Sequence, residues 1–155
     1  MSKRTIEETL AREGVYASPT RGVSMRPMLR QGKDRIILVP AQGRLGKYDV
    51  PLYRRGKDYV LHRIVKVRPE DYVVLGDNCV ALEYVKDEQI VGVLTGFYRG
   101  TRYVDAKNRL YRGYAALWQL TWPWRRLRCR IRRLGGRVLR FLGLRRKQEN
   151  RGDRR

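Results

Sequence analysis

A chain of 155 residues holds one core of ordinary domain size and is short for two. Its 42% hydrophobic and 33% charged residues fit a globular chain, while two cysteines, Cys79 and Cys129, set far apart, exclude a disulfide framework or a cysteine metal cluster. The formal net charge is +21 and unevenly placed: residues 1–99 carry 18 basic and 12 acidic side chains, residues 100–155 carry 18 and 3, so attraction to polyanions belongs to the tail.

Residues 3–13 predict a short helix, with Ile6 and Leu10 on one side and Gly14 ending it. The basic residues ahead of it are not followed by the apolar run of a secretory leader. No stretch reaches the roughly 18–20 apolar residues that cross a bilayer. The longest, from 114 to 124, is interrupted by Gln119 and Pro123, and a cytoplasmic location is expected. From Val15 onward, short β-branched and aromatic runs at 35–39, 49–53, 59–67, 72–75 and 90–98 predict strands. Pro51 cannot donate to a ladder, which places its strand at an edge or at a bulge. Lys57-Asp58 after Gly56, and Pro69-Glu70-Asp71, read as hairpin turns. The spacing predicts an all-β sandwich or a partly closed barrel.

In the tail, Leu117, Leu120, Trp124, Leu127, Ile131, Leu134, Val138 and Phe141 recur at steps of three and four, one helical face with arginines between them. Pro123 and Gly135-Gly136 predict two or three helical pieces rather than one rod. The expected organisation is a helix in 1–14, a β domain in 15–104, a basic amphipathic helical tail in 105–147 and a disordered end in 148–155.

His62 is the only histidine, and an imidazole exchanges protons near neutral pH. Ser24 lies in the turn-like run GVSMRP, where Gly22 permits a sharp turn and Pro27 stiffens the exit. A serine hydroxyl becomes a nucleophile when a base takes its proton and donors stabilise the oxyanion. Alone, each fits a structural role equally well: Ser24 as a turn residue, His62 as a strand residue.

Their company is more specific. GVSMRPML (22–29), KYDV (47–50), LHRIV (61–65), VLGDN (74–78) and IVGV (90–93) resemble, in this order, the boxes of the type I signal peptidases and their self-cleaving, LexA-like relatives. The resemblance spans residues 15–98. It implies a signal-peptidase/LexA-like antiparallel β-sheet domain, mainly β, and a serine peptidase needing no cofactor and no metal. It implies Ser24 as nucleophile, His62 as general base in the manner of the endoplasmic-reticulum branch, and Asp77 as the supporting acid. Gly22, with Met25 and Pro27, would line the oxyanion and substrate pocket. Three features depart from the family. Gly32-Lys33-Asp34 replaces an early Gly-Asp, the second acid is represented by Glu83 or the later Asp87, and the N-terminal anchor is missing.

The expected activity is hydrolysis of a precursor or leader peptide by a Ser24/His62 dyad. The alternatives are self-cleavage and a non-catalytic binding module of the same fold. For the tail, residues 107–147, the expected partner is an anionic membrane surface on the inner face. Packing on the domain, or nucleic-acid binding, are the other readings.

Overall fold

The computed structural model describes residues 5–141, with side-chain surroundings for residues 5–131; the disordered end expected at 148–155 lies outside them. The chain divides into two compact units after Thr121.

The first unit is mainly β. Helix α1 (Ile6–Glu13) starts at a capping box, Thr5 Oγ1 accepting from the Glu8 N–H and Glu8 accepting from the Thr5 N–H, and stops at Gly14 in the left-handed region. Leu10 buries its inner side, as the Ile6/Leu10 spacing predicts. Strands β1 (Tyr16–Pro19), β2 (Asp34–Val39), β3 (Pro51–Arg55), β4 (Asp58–Leu61), β5 (Arg63–Val67), β6 (Tyr72–Leu75), β7 (Glu83–Val85), β8 (Ile90–Arg99) and β9 (Arg102–Asp105) then form two antiparallel sheets. One has the order β1-β2-β8-β3-β4 with β9 also on β8; the other is β5-β6-β7. Register shifts at Ile37/Leu38 and Leu52/Tyr53 curl the first sheet around the long β8. Pro51 therefore satisfies the bulge alternative: β3 is interior, and Pro51 opens it beside a shifted register.

Two differences from expectation position the site. The strand expected at 59–67 is broken at His62. Leu61 pairs with Leu52 in the first sheet and Arg63 with Leu75 in the second, so the chain changes sheets at this one residue. The expected boundary at 104/105 falls instead after helix α2 (Arg109–Leu120), because Tyr111 and Ala115 are buried and Tyr111 joins the core of Leu10, Met25, Leu38 and Phe97. Asn108 caps α2, its Oδ1 accepting from the Leu110 N–H at 2.8 Å.

The second unit begins with helix α3 (Trp122–Phe141). Pro123 sits in its first turn, where a missing N–H leaves no hydrogen bond unmade, and the helix continues through Gly135-Gly136. The break expected in the tail thus lies at Thr121, ahead of the proline. Among the described residues no helix is long and apolar enough to cross a membrane.

Candidate active site

Ser24 lies in the irregular segment between β1 and β2, half-buried, and a polar belt fixes that segment. Thr20 Oγ1 donates to Arg30 O at 2.7 Å, the Arg30 N–H donates to Asp34 Oδ2 at 2.9 Å, and the Gly32 N–H donates to Thr20 O at 3.0 Å. Asp34 is fully buried and receives Arg99 Nη2 at 3.0 Å. Burial alone would raise its pKa, but the Arg99 hydrogen bond and charge outweigh it and hold the carboxyl below its usual value. Gly22 occupies the left-handed region at φ +79°, the conformation its missing side chain permits at the entry to the Ser24 turn.

His62 is buried, 4% exposed. Its Nδ1 lies 3.0 Å from Tyr53 Oη, and Tyr53 donates its hydroxyl proton to Glu83 Oε2 at 2.9 Å. A phenol has one proton to give, so toward the imidazole Tyr53 accepts, and Nδ1 carries the ring proton. The Nε2 lone pair is therefore the free base. Arg55 Nη1 holds the other Glu83 oxygen at 3.1 Å. Burial pushes the imidazole below its ordinary value; the Glu83 charge opposes this, Arg55 reinforces it and Asp77 opposes it. Burial likewise pushes the Tyr53 hydroxyl far up, with Glu83 adding to the effect, so Tyr53 keeps its proton.

Gly76 shows where Nε2 points. A Cβ built on it would lie 2.9 Å from His62 Nε2, 2.9 Å from Ser24 O and 2.8 Å from Cys79 Sγ. The ring nitrogen and the Ser24 main chain thus meet over the bare face of one glycine. The neighbouring residue completes the junction: the Asn78 N–H donates to Ser24 O at 2.7 Å, and Asn78 Nδ2 donates to Val23 O at 3.3 Å. The GVSMRP, LHRIV and VLGDN segments, far apart in sequence, converge here. Among the described residues no hydrogen bond joins Ser24 Oγ to the ring.

Asp77 is gripped by Arg63. Its carboxylate takes Arg63 Nε at 2.9 Å and Arg63 Nη2 at 2.7 Å, both side chains being fully buried, and Gln119 Nε2 at 3.3 Å. Two groups face His62 Nδ1, Tyr53 Oη at 3.0 Å and Glu83 Oε1 at 3.4 Å, and Asp77 reaches the ring through its charge. Arg63 directly follows His62, turns to the opposite side of the chain, and takes both Asp77 oxygens. Arg63 also donates through Nη1 to Tyr48 O at 3.2 Å. Tyr48 is a non-glycine residue at φ +75°, pinned there by its own N–H on Ile64 O at 2.8 Å, which gives the KYDV segment its structural purpose.

The remaining expected site residues separate. Met25 belongs to the hydrophobic core. Pro27 is exposed at the rim of a cavity of about 440 Å³ lined also by Phe97, Tyr103 and Tyr114. Asp87, an exposed residue, accepts from Tyr72 at 2.6 Å and takes no part near His62. Tyr53 was missed by the sequence reading, although the predicted hairpin turn at Gly56 already set 51–53 opposite 60–62.

Replacing Tyr53 by Phe removes the hydroxyl between His62 and Glu83 without opening a cavity. The expected result is a shift of the imidazole toward its other tautomer, read from the ring 15N chemical shifts, because Tyr53 no longer accepts from Nδ1. Unchanged ring shifts would show that the hydroxyl only fills space.

Among the described residues no group of three or more His, Cys, Asp or Glu could hold a metal ion. Comparisons with protein-family models, with curated proteins and with solved structures found no match.

Proposed function

We propose that the chain is a serine endopeptidase with a signal-peptidase/LexA-like β domain, acting on precursor or leader peptides through Ser24 and His62. The observation that carries this is the junction over Gly76. A buried imidazole, its Nδ1 proton committed to Tyr53, has its basic nitrogen against the same glycine as the Ser24 main-chain oxygen, which supports the pairing. In the proposed reaction the Ser24–His62 hydrogen bond closes as substrate binds, a tightening common at active sites. Nε2 takes the hydroxyl proton as Ser24 Oγ attacks the peptide carbonyl. The tetrahedral oxyanion collapses to an acyl-enzyme as His62 returns the proton to the leaving amine. Water, activated by the same nitrogen, then releases the acyl group. The Ser24 N–H, in a turn opened by Gly22, is the proposed oxyanion donor.

No covalent step needs a cofactor. Small side chains beside the scissile bond, a cytoplasmic location and peripheral attachment to the inner membrane face complete the reading.

The pH dependence tests the base. A protonated imidazole has no lone pair for the Ser24 proton, so kcat/KM rises with pH through the His62 pKa. Burial sets that pKa below the usual imidazole value, so the rate is level by neutral pH and falls only on the acid side. Glu83 raises the His62 pKa, so Glu83→Gln is expected to move the acid limb to lower pH while reducing the plateau. The measurement is kcat/KM against pH for cleavage of candidate precursor peptides by wild type and Glu83→Gln, with Ser24→Ala as the inactive control. An acid limb that moves to higher pH in Glu83→Gln would contradict the assignment, as would turnover by Ser24→Ala.

A further inference from the structure

The VLGDN segment runs on into a thiol that the proposed hydrolysis does not use. Gly76-Asp77-Asn78-Cys79 is a tight turn, closed by the Cys79 N–H donating to Gly76 O at 2.8 Å, with Asp and Asn, common turn residues, at its centre. The turn folds Cys79 back over its own first residue. Gly76 has no side chain to fill that space, and Cys79 Sγ lies 2.8 Å from where its Cβ would stand. His62 Nε2 lies 2.9 Å from the same point, so thiol and imidazole share one bare face. Their exposures are complementary: His62 is 4% exposed, whereas Cys79 is half-buried, in the thiol form and within reach of solvent. The Nδ1 side of the ring is committed to Tyr53, and among the described residues Nε2 has no hydrogen-bond partner. A buried lone pair beside a thiol is what makes a cysteine nucleophilic.

We propose that Cys79 is a thiol-exchange site with His62 as its base, that its reagents are low-molecular-weight disulfides of the glutathione type, and that the mixed disulfide shuts the candidate active site. Half-burial limits the partner to small disulfides. Nε2 takes the Sγ proton and the thiolate attacks one sulfur of the reagent. The reagent's S–S bond breaks as the Sγ–S bond forms, and the departing thiolate takes the proton back from the imidazolium. Cys79 is oxidised and the departing half of the reagent is reduced, so no further oxidant enters. An ester carbonyl needs an oxyanion donor beside its nucleophile, and the proposed donor stands at Ser24; disulfide exchange needs none. Acyl groups therefore fall to Ser24 and disulfides to Cys79.

The block rests on the peptidase reading. A group carried on Sγ stands over the face of Gly76 that Nε2 and Ser24 O share, the space across which the Ser24–His62 hydrogen bond would close. Thiol reductant removes the group and reopens the site.

The test uses the full chain carrying Cys129→Ser, so that one thiol remains, mixed with glutathione disulfide and followed by intact mass. Native Cys79 is expected to form the mixed disulfide at least about tenfold faster than the same chain unfolded in urea, where the thiol has lost its base. Adding His62→Gln is expected to slow the native reaction at least about tenfold, with circular dichroism as the check on folding. A native rate equal to or below the unfolded rate overturns the proposal without any His62 variant, and so does an unchanged rate in folded His62→Gln. For the block, His62 is the only histidine, so its ring nitrogen shifts report the adduct whether or not peptide is cleaved. The adduct is expected to move the Nε2 resonance and to lower peptide hydrolysis at least about tenfold, and thiol reductant to restore both. An unmoved resonance, or an adduct that cleaves like the thiol form, overturns the block. Cys79→Ser is expected to hydrolyse peptide equally with and without glutathione disulfide. If no form of the protein cleaves peptide, the failure belongs to the peptidase reading, and the exchange rates and ring shifts still decide the thiol site.

Discussion

Gly76→Ala is expected to abolish peptide hydrolysis, with a loss of at least about a hundredfold in kcat, in a protein that still folds. A methyl group on Gly76 would meet His62 Nε2 and Ser24 O at 2.9 Å and Cys79 Sγ at 2.8 Å, closer than carbon contacts allow. The thiol can rotate away. Ser24 O cannot, because the Asn78 N–H holds it, and the ring cannot without leaving Tyr53. The new methyl therefore wedges the base from the serine turn, and small misplacements of reacting groups are costly. Destabilisation of about 1–3 kcal/mol accompanies overpacking of this kind, so the activity should be measured well below the variant's Tm. Retained kcat would mean that base and serine turn do not work across this glycine.

The second large effect falls on stability. Arg63→Leu is expected to cost about 3–5 kcal/mol, the usual range when one partner of a buried ion pair is removed, because Asp77 would keep a buried charge without its guanidinium. Both side chains are fully buried, and Arg63 also joins Tyr48 and Tyr111 to the Asp77 segment. The check is chemical denaturation of wild type, Arg63→Leu and the double variant Arg63→Leu/Asp77→Leu. The double variant should be more stable than Arg63→Leu alone, since it removes the orphaned charge as well. If Arg63→Leu does not fold, Arg63→Lys, which keeps the charge but loses the two-pronged grip, should give a smaller loss. A cost below about 1 kcal/mol for Arg63→Leu would mean that water or another cation reaches Asp77.

These residues show what a sequence discloses. The strands centred on Ile37, Val74 and Leu94, and the helix ending at Gly14, were legible because local patterning and the fold agree there. Ser24 and His62 were singled out by residue type and segment order, and they do face one glycine. The grip of Arg63 on Asp77 was not legible because burial chooses that partner: a guanidinium taken into the core needs a carboxylate to offset its charge. Tyr53 and Glu83 stand 30 residues apart and meet His62 only because β3 and β7 belong to different sheets that the chain joins at His62. The hairpin that pairs Arg63 with Leu75 follows from the turn at 69–71, but the change of sheet at His62, where Leu61 still pairs with Leu52, is not marked by any local pattern. The short strands β7 and β9 lack a pattern of their own and exist through their neighbours β6 and β8.

The most direct measurement is the mass of the protein after brief mixing with an activated acyl-alanine ester and acid quench. One acyl group per chain, mapped by fragmentation to Ser24, is expected. In His62→Gln its rate of formation should fall by about a hundredfold or more, because the base is gone. An adduct on Cys79 or elsewhere, no adduct on the folded protein, or an unchanged rate in His62→Gln would contradict a serine nucleophile activated by this histidine.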